Sequence, residues 1–588
     1  MRPCALLAAL LLPLLSLAAG PATSPALPPA DAPPFPLEQV RPGLVGTGFT
    51  VLRGDTVAAF QAQVQGVVSQ DASRGPLIIC ELSGAGIEET GVLAAMSGSP
   101  VFAEGKLLGA VAYAWPFAKR PVCGLTPAAQ LLPLLDDSPS AGGAGGVPVT
   151  SSDFLSRFGR AGARVPSPDE GGAPGPLGSL ALAGFRWSLA APGAAPPAAP
   201  VSLGPGGLVG VLLVAGDVEF AAFGTVAHVR GDRFVAFGHP FMRLGAVDLP
   251  LVAARVDALV PSLEKGMKLC SSGPAVGAVR LDSSAGVSGR FGVSADLLPV
   301  ALTVSGGVGP ARTFHFGLAR HRFLTPALLQ GALGAIQNSA VGVADPKTVT
   351  LARFQATLPD GETVSLNPLC FSGPAPMAPL NDLAGNLLDL LLNNAYEPVA
   401  VKALSLEIAV RPVLAGGAPQ AAWLEPGTVT RGSSPELRVS FQPLQAPSGT
   451  LSKRLPTDRW PEGELVLWVG DVFTLWRKLS GTEGVTPSSR QGILDFVRSI
   501  PANDRLYVAV LSPSPGRVLQ NRRLDDPPPS LAALLGPSGP RTAAAPPAYR
   551  LVEVLEGPES GLCEGLIEVP LTVKPPAAPA GPDPTRRP

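Results

Sequence analysis

The chain has 588 residues, 46% of them hydrophobic, and carries 44 Lys and Arg against 45 Asp and Glu, a formal charge of −1. That length accommodates several domains with their own cores, and the charge balance argues against a nucleic-acid binder. Gly and Pro, 68 of each, fall unevenly and mark both tight turns and unstructured connectors around folded modules.

Residues 1–20 read as a secretory signal. Arg2 supplies the positive start, Leu6 to Leu17 an apolar run, and Ala18-Ala19-Gly20 a small-residue cleavage region. The run falls short of the roughly 20 residues a membrane span needs, and Pro-rich sequence (21–39) follows it. An exported chain is expected, with no membrane span after signal removal, in the periplasm, the cell envelope or outside the cell. Cys4 precedes the apolar run, whereas a lipid-modified cysteine would follow it. Of the remaining cysteines, Cys80 and Cys123 are read either as a staple or as buried thiols. Neither Cys-x-x-Cys nor His-Glu-x-x-His spacing occurs, so no metal and no cofactor is expected.

Residues 40–137 show short apolar runs rich in β-branched residues, such as Val57 to Val68, and predict a β module. Within it, Pro100 to Tyr113 reads as a hairpin turning at Glu104-Gly105. Residues 138–207 are dominated by Gly, Pro, Ala and Ser and read as a linker, interrupted by Phe185-Arg186-Trp187. A second β module, 208–398, begins with strands at Val209 to Val214, Phe223 to Val229 and Arg233 to Phe237. Arg230-Gly231-Asp232 serves there as a turn rather than an adhesion signal. Leucines at near-helical spacing predict packing helices over Pro326 to Ile336 and Leu380 to Leu392. In 399–574, alternation at Ser405 to Val410, Glu436 to Phe441 and Glu464 to Val469, with more strand-like sequence at Arg505 to Leu511, predicts an accessory β-sandwich. Residues 575–588 read as a disordered tail.

A serine hydrolase needs a nucleophile, a base to take its proton, and donors for the oxyanion. Among four histidines, His239 is the best base, because Gly238 and Pro240 hold it in a turn at a strand end. His228 and His315 lie within strand-like sequence and read as structural, and His321 reads as solvated. The segment Thr90-Gly91-Val92-Leu93-Ala94-Ala95-Met96-Ser97-Gly98-Ser99-Pro100-Val101, with Gly105 to Val111 after it, resembles the nucleophile segment of the SpoIVB-type serine peptidases. Gly224-Thr225-Val226 and Phe237-Gly238-His239 are similar to the strand and turn that carry that family's histidine. Gly273-Pro274 to Gly289 resembles the stretch that follows.

The resemblance implies a mainly β chain, a chymotrypsin-like double β-barrel with a few helices, cleaving protein or peptide substrates through an acyl-enzyme on Ser97, with His239 as base. Three departures stand out. The serine segment precedes the histidine segment, the reverse of the family's order, so the barrels would be permuted. The family's aspartate is missing near Ser83, leaving Asp248 as first choice of acid and Asp282 as second. Ala95 occupies the place of a glycine whose amide commonly faces the oxyanion, and alanine tolerates positive φ poorly. The alternative class is a catalytically degenerate envelope scaffold that binds proteins.

Overall fold

The computed structural model describes residues 32–69, 75–136, 186–189 and 203–576, apart from short stretches at 343–346, 395, 412–415, 444–446, 481–488, 514–516, 520–521, 525–527 and 531–548. The expected signal, and most of the tail and of the linker, lie outside the described residues.

The chain is mainly β. Six strands, β1 (Val45–Arg53), β2 (Thr56–Ser69), β3 (Pro76–Ser83), β4 (Pro100–Ala103), β5 (Lys106–Ala114) and β6 (Val122–Pro127), close a barrel in the order β1-β2-β3-β6-β5-β4. Alternating apolar positions fill it, among them Phe60, Val64, Ile78, Leu82, Val101, Val111 and Leu125. The β4–β5 hairpin turns where expected: Glu104 (φ 51°) and Gly105 (φ 76°) are both left-handed, the geometry a two-residue hairpin turn demands. Cys80 and Cys123 face each other across β3 and β6 as buried free thiols. Desolvation pushes the Cys80 thiol up to about 12.

After β7 (Arg186–Leu189) come β8 (Leu208–Gly216), β9 (Val218–Arg230), β10 (Arg233–Ala236), β11 (Gly245–Val260), β12 (Met267–Ser283) and β13 (Gly286–Phe291). Their pairings trace a second ring, β8-β9-β10-β13-β12-β11, closed by β11 on β8. Relabelled from its first strand, this is the connectivity of the first barrel, so the chain forms a double β-barrel from two copies of one topology. Arg230-Gly231-Asp232 lies in the β9–β10 turn, with Gly231 at φ 63°. The Arg186–Trp187 interruption of the linker is a strand after all: β7 pairs with Val218–Ala221 of β9.

The second barrel continues into a larger sheet, because β15 (Arg312–Ala319) pairs with the end of β8 and with β14 (Leu297–Ser305). Further out lie β16 (Lys347–Thr357), β17 (Thr363–Leu366), β18 (Leu369–Gly373) and β19 (Ala403–Arg411). The helices Leu324–Ile336 and Met377–Leu392 bury their leucines in the same core. Ser405 to Val410 corrects the expected boundary. It lies in β19, parallel to β14 and antiparallel to β16, and so belongs to this sheet rather than to the sandwich.

The C-terminal part is a β-sandwich of three strands (Gly417–Glu425, Glu436–Pro443, Gly449–Arg454) on five (Val429–Thr430, Gly463–Gly470, Arg505–Pro513, Tyr549–Glu559, Leu566–Lys574). Leu437, Val439, Phe441, Trp460, Leu467 and Val508 form its core. Trp460 and Trp468 are buried, and Trp423 is 37% exposed, so the first two are packing residues.

Candidate functional site

Ser97 lies between β3 and β4 of the first barrel, and His239 between β10 and β11 of the second. Because the two barrels share one connectivity, these are equivalent corners, and they adjoin across the interface. Gly98 donates its amide to the Val111 carbonyl at 2.7 Å, while a Cβ placed on Gly238 would stand 2.9 Å from that same oxygen. Ser97 and His239 are the chain neighbours of these two glycines. Further bonds lock the corners together. Thr225 of β9 donates to the Ser97 carbonyl at 2.7 Å and accepts from the Phe237 amide at 3.2 Å, and Thr126 Oγ1 donates to the Gly238 carbonyl at 2.6 Å. The Tyr113 and His239 rings lie 6.3 Å apart.

Both corners hold strained backbone. Ala95 (φ 70°) and Phe237 (φ 69°) are left-handed without being glycine, a conformation costing about 1–2 kcal/mol per residue. Ala95 therefore takes a geometry that glycine adopts without strain. Along Leu93 to Ser99, Ala94 donates to Gly266 O, Met96 to Leu93 O, Gly98 to Val111 O, Ser99 to Met96 O, and Leu93 to the Met96 sulfur. Among the described residues, the amides of Ala95 and Ser97 alone in this run donate to nothing in the protein. Two free N–H groups, on the nucleophile candidate and two residues before it, are what an oxyanion site requires.

Ser97 is half-buried, and among the described residues its Oγ has no hydrogen-bond partner. His239 is also half-buried. Its Nδ1 lies 2.8 Å from the Pro240 carbonyl, which selects the tautomer with Nδ1–H donating and leaves Nε2 as the basic nitrogen. Desolvation lowers its pKa, opposed by the Pro240 bond and by the nearby Asp282 carboxylate.

Asp248, the first choice of acid, does not meet His239. Asp248 is held by Arg280 at 2.6 Å and by the Asp296 amide at 2.9 Å, and among the described residues it has no bond to His239. Asp282 is the carboxylate whose charge reaches the ring. Only 2% exposed, it accepts from the amides of Phe241 (2.8 Å), Met242 (2.7 Å) and Leu244 (3.0 Å). It thus braces the loop that follows His239 rather than gripping the imidazole. Burial raises its pKa against the pull of these bonds. Ser83, at the place where the resemblance leads one to expect an aspartate, is exposed at the end of β3.

No family model, curated protein or solved structure matches the chain.

Sequence reading missed a buried polar cluster beneath the serine segment. Lys268 of β12, 6% exposed, donates from Nζ to Thr50 Oγ1 (2.8 Å) and to the Ala95 carbonyl (3.2 Å). Ser99 Oγ donates to Thr50 Oγ1 at 2.9 Å, and Thr225 Oγ1 to the Ala95 carbonyl at 3.2 Å. Ser99, Thr50 and Thr225 are wholly buried. In sequence, a lysine on a strand looks like a solvated residue. Only the barrel interface makes position 268 an inward one. Among the described residues no group of three ligating side chains could hold a metal ion, and no helix is long and apolar enough to cross a membrane.

Proposed function

We propose that the chain is an exported serine endopeptidase of the SpoIVB type, acting on polypeptides, with its two barrels in reversed order. The observation that carries this reading is the meeting of the Gly98 and Gly238 corners over the Val111 carbonyl, with free amides at Ala95 and Ser97 on the serine side. In the mechanism it supports, Ser97 Oγ attacks the scissile carbonyl carbon and its proton passes to His239 Nε2. The Pro240 carbonyl retains the Nδ1 proton, and the Asp282 carboxylate favours the imidazolium electrostatically. The oxyanion accepts from the Ala95 and Ser97 amides. As the tetrahedral intermediate collapses, the C–N bond breaks and the imidazolium protonates the leaving amine. Water then hydrolyses the acyl-Ser97 ester by the same route.

The mature protein and its Ser97→Ala variant test the reading. A fluorophosphonate probe is expected to label the first and not the second, and any cleavage within 138–207 is expected to stop in the variant. Equal behaviour of the two proteins would favour a non-catalytic binding scaffold. That alternative draws on the carbonyl, rather than carboxylate, partner of His239 Nδ1.

A further inference from the structure

Lys268 holds both peptide planes around Ala95. Its backbone amide donates to the Ala94 carbonyl at 3.3 Å, and its amine donates to the Ala95 carbonyl at 3.2 Å. A trans peptide is planar, with C=O and N–H on opposite sides, so fixing the Ala94 oxygen fixes where the Ala95 N–H points. The remaining support comes from two other strands and the turn itself: Thr225 of β9 also binds the Ala95 carbonyl, Thr50 of β1 takes the second donor of the amine, and Ser99, just before β4, closes the cluster on Thr50. We propose that Lys268 is a positioning residue for Ser97, a clamp from the second barrel that forces Ala95 into its left-handed turn and thereby sets the oxyanion donors. This rests on the peptidase reading of the site.

The chemistry of the amine agrees with a clamp. Its partners are a hydroxyl and a carbonyl, with no carboxylate bonded to it among the described residues. Burying a lysine without a counter-charge is costly, and a methionine would fill the same space without that penalty. Desolvation brings its pKa down to about 7, and a neutral amine has two N–H donors for the two acceptors present. A clamp is also what alanine at position 95 calls for. Glycine would enter the left-handed region unaided, whereas alanine must be held there.

The test is a cycle on the mature protein: wild type, Lys268→Met, Ala95→Gly and the double variant, each followed by the second-order rate of fluorophosphonate labelling at Ser97. Lys268→Met is expected to slow labelling about 100-fold, the loss typical of one oxyanion donor. In the Ala95→Gly background the same change is expected to slow it less than about 10-fold, because glycine needs no clamp. Equal slowing in both backgrounds, or none, overturns the proposal. Amide exchange over 93–99 separates this from failure of the peptidase reading. Lys268→Met is expected to speed exchange there even if no serine labels, and unchanged exchange overturns the clamp. If Lys268→Met does not fold, Thr50→Val, which removes one acceptor of the amine, takes its place under the same criteria.

Discussion

His239 feels opposing influences. Desolvation disfavours its charged form, whereas the Pro240 carbonyl and the Asp282 carboxylate favour it, and the net displacement is downward from 6.5. A lowered pKa keeps the imidazole neutral, and so able to accept the Ser97 proton, to pH values below 6.5. The acid limb of the labelling rate against pH is therefore expected below 6.5. Asp282→Asn removes one of the raising influences, so its limb is expected at lower pH still. A wild-type limb at 7 or above would show that the carboxylate outweighs burial, and an unmoved limb in the variant would remove Asp282 from the base's electrostatics. Asp248→Asn is expected to leave the limb in place, because Arg280 occupies that carboxylate.

The corner elements depend on backbone that approaches too closely for side chains. A Cβ on Gly98 would stand 1.9 Å from the Thr225 carbonyl and 2.6 Å from the Phe237 amide, and Gly98 is itself left-handed at φ 92°. Gly98→Ala adds a strained φ to a clash with fixed backbone, and is expected to destabilise the protein by about 2–5 kcal/mol. Chemical denaturation checks this, and a loss below about 1 kcal/mol would mean that the corners are not locked together. The elements themselves were largely legible. Short apolar runs marked β2, β8 and β10, and leucine spacing marked both long helices. Glu104-Gly105 and Arg230-Gly231-Asp232 announced their turns because two-residue hairpins constrain sequence tightly. That Asp282, rather than Asp248, lies near His239 was not legible, because its place follows from register. Strand β11 sets Gly245 opposite Asp282, and an irregularity between Ala246 and Leu249 separates Asp248 from that pairing. Proximity in sequence to His239 favoured Asp248, and pairing across strands reversed it. Strand β19 was read as a strand but placed in the wrong module for the same reason, since its partners β14 and β16 are remote in the chain.

At the scale of the molecule, two barrels of one connectivity meet at equivalent corners, so each contributes half of the candidate site whichever comes first in the chain. That is why the Gly98 and Gly238 corners meet over Val111 although they lie far apart in the chain. It also puts a buried amine at the junction, and folding carries the consequence. The Lys268 pKa is about 7 in the folded protein and near 10.5 when unfolded, so between these values the unfolded chain binds the extra proton. Stability then rises with pH, by up to about 1.4 kcal/mol per unit for this one group. The same penalty on the buried cation is fully present below pH 7. Cys270 is the titratable neighbour whose charge the amine feels. The buried thiols act oppositely and later, because their raised pKa values, about 12 for Cys80, make the unfolded chain lose protons first above pH 9. Denaturation of wild type and Lys268→Met at pH 7.5 and 8.5 isolates the lysine below that range. Wild type is expected to gain about 1 kcal/mol on the variant over the interval. Parallel behaviour would mean that Lys268 keeps its proton throughout, with water or a carboxylate reaching the amine that lies sealed between the barrels.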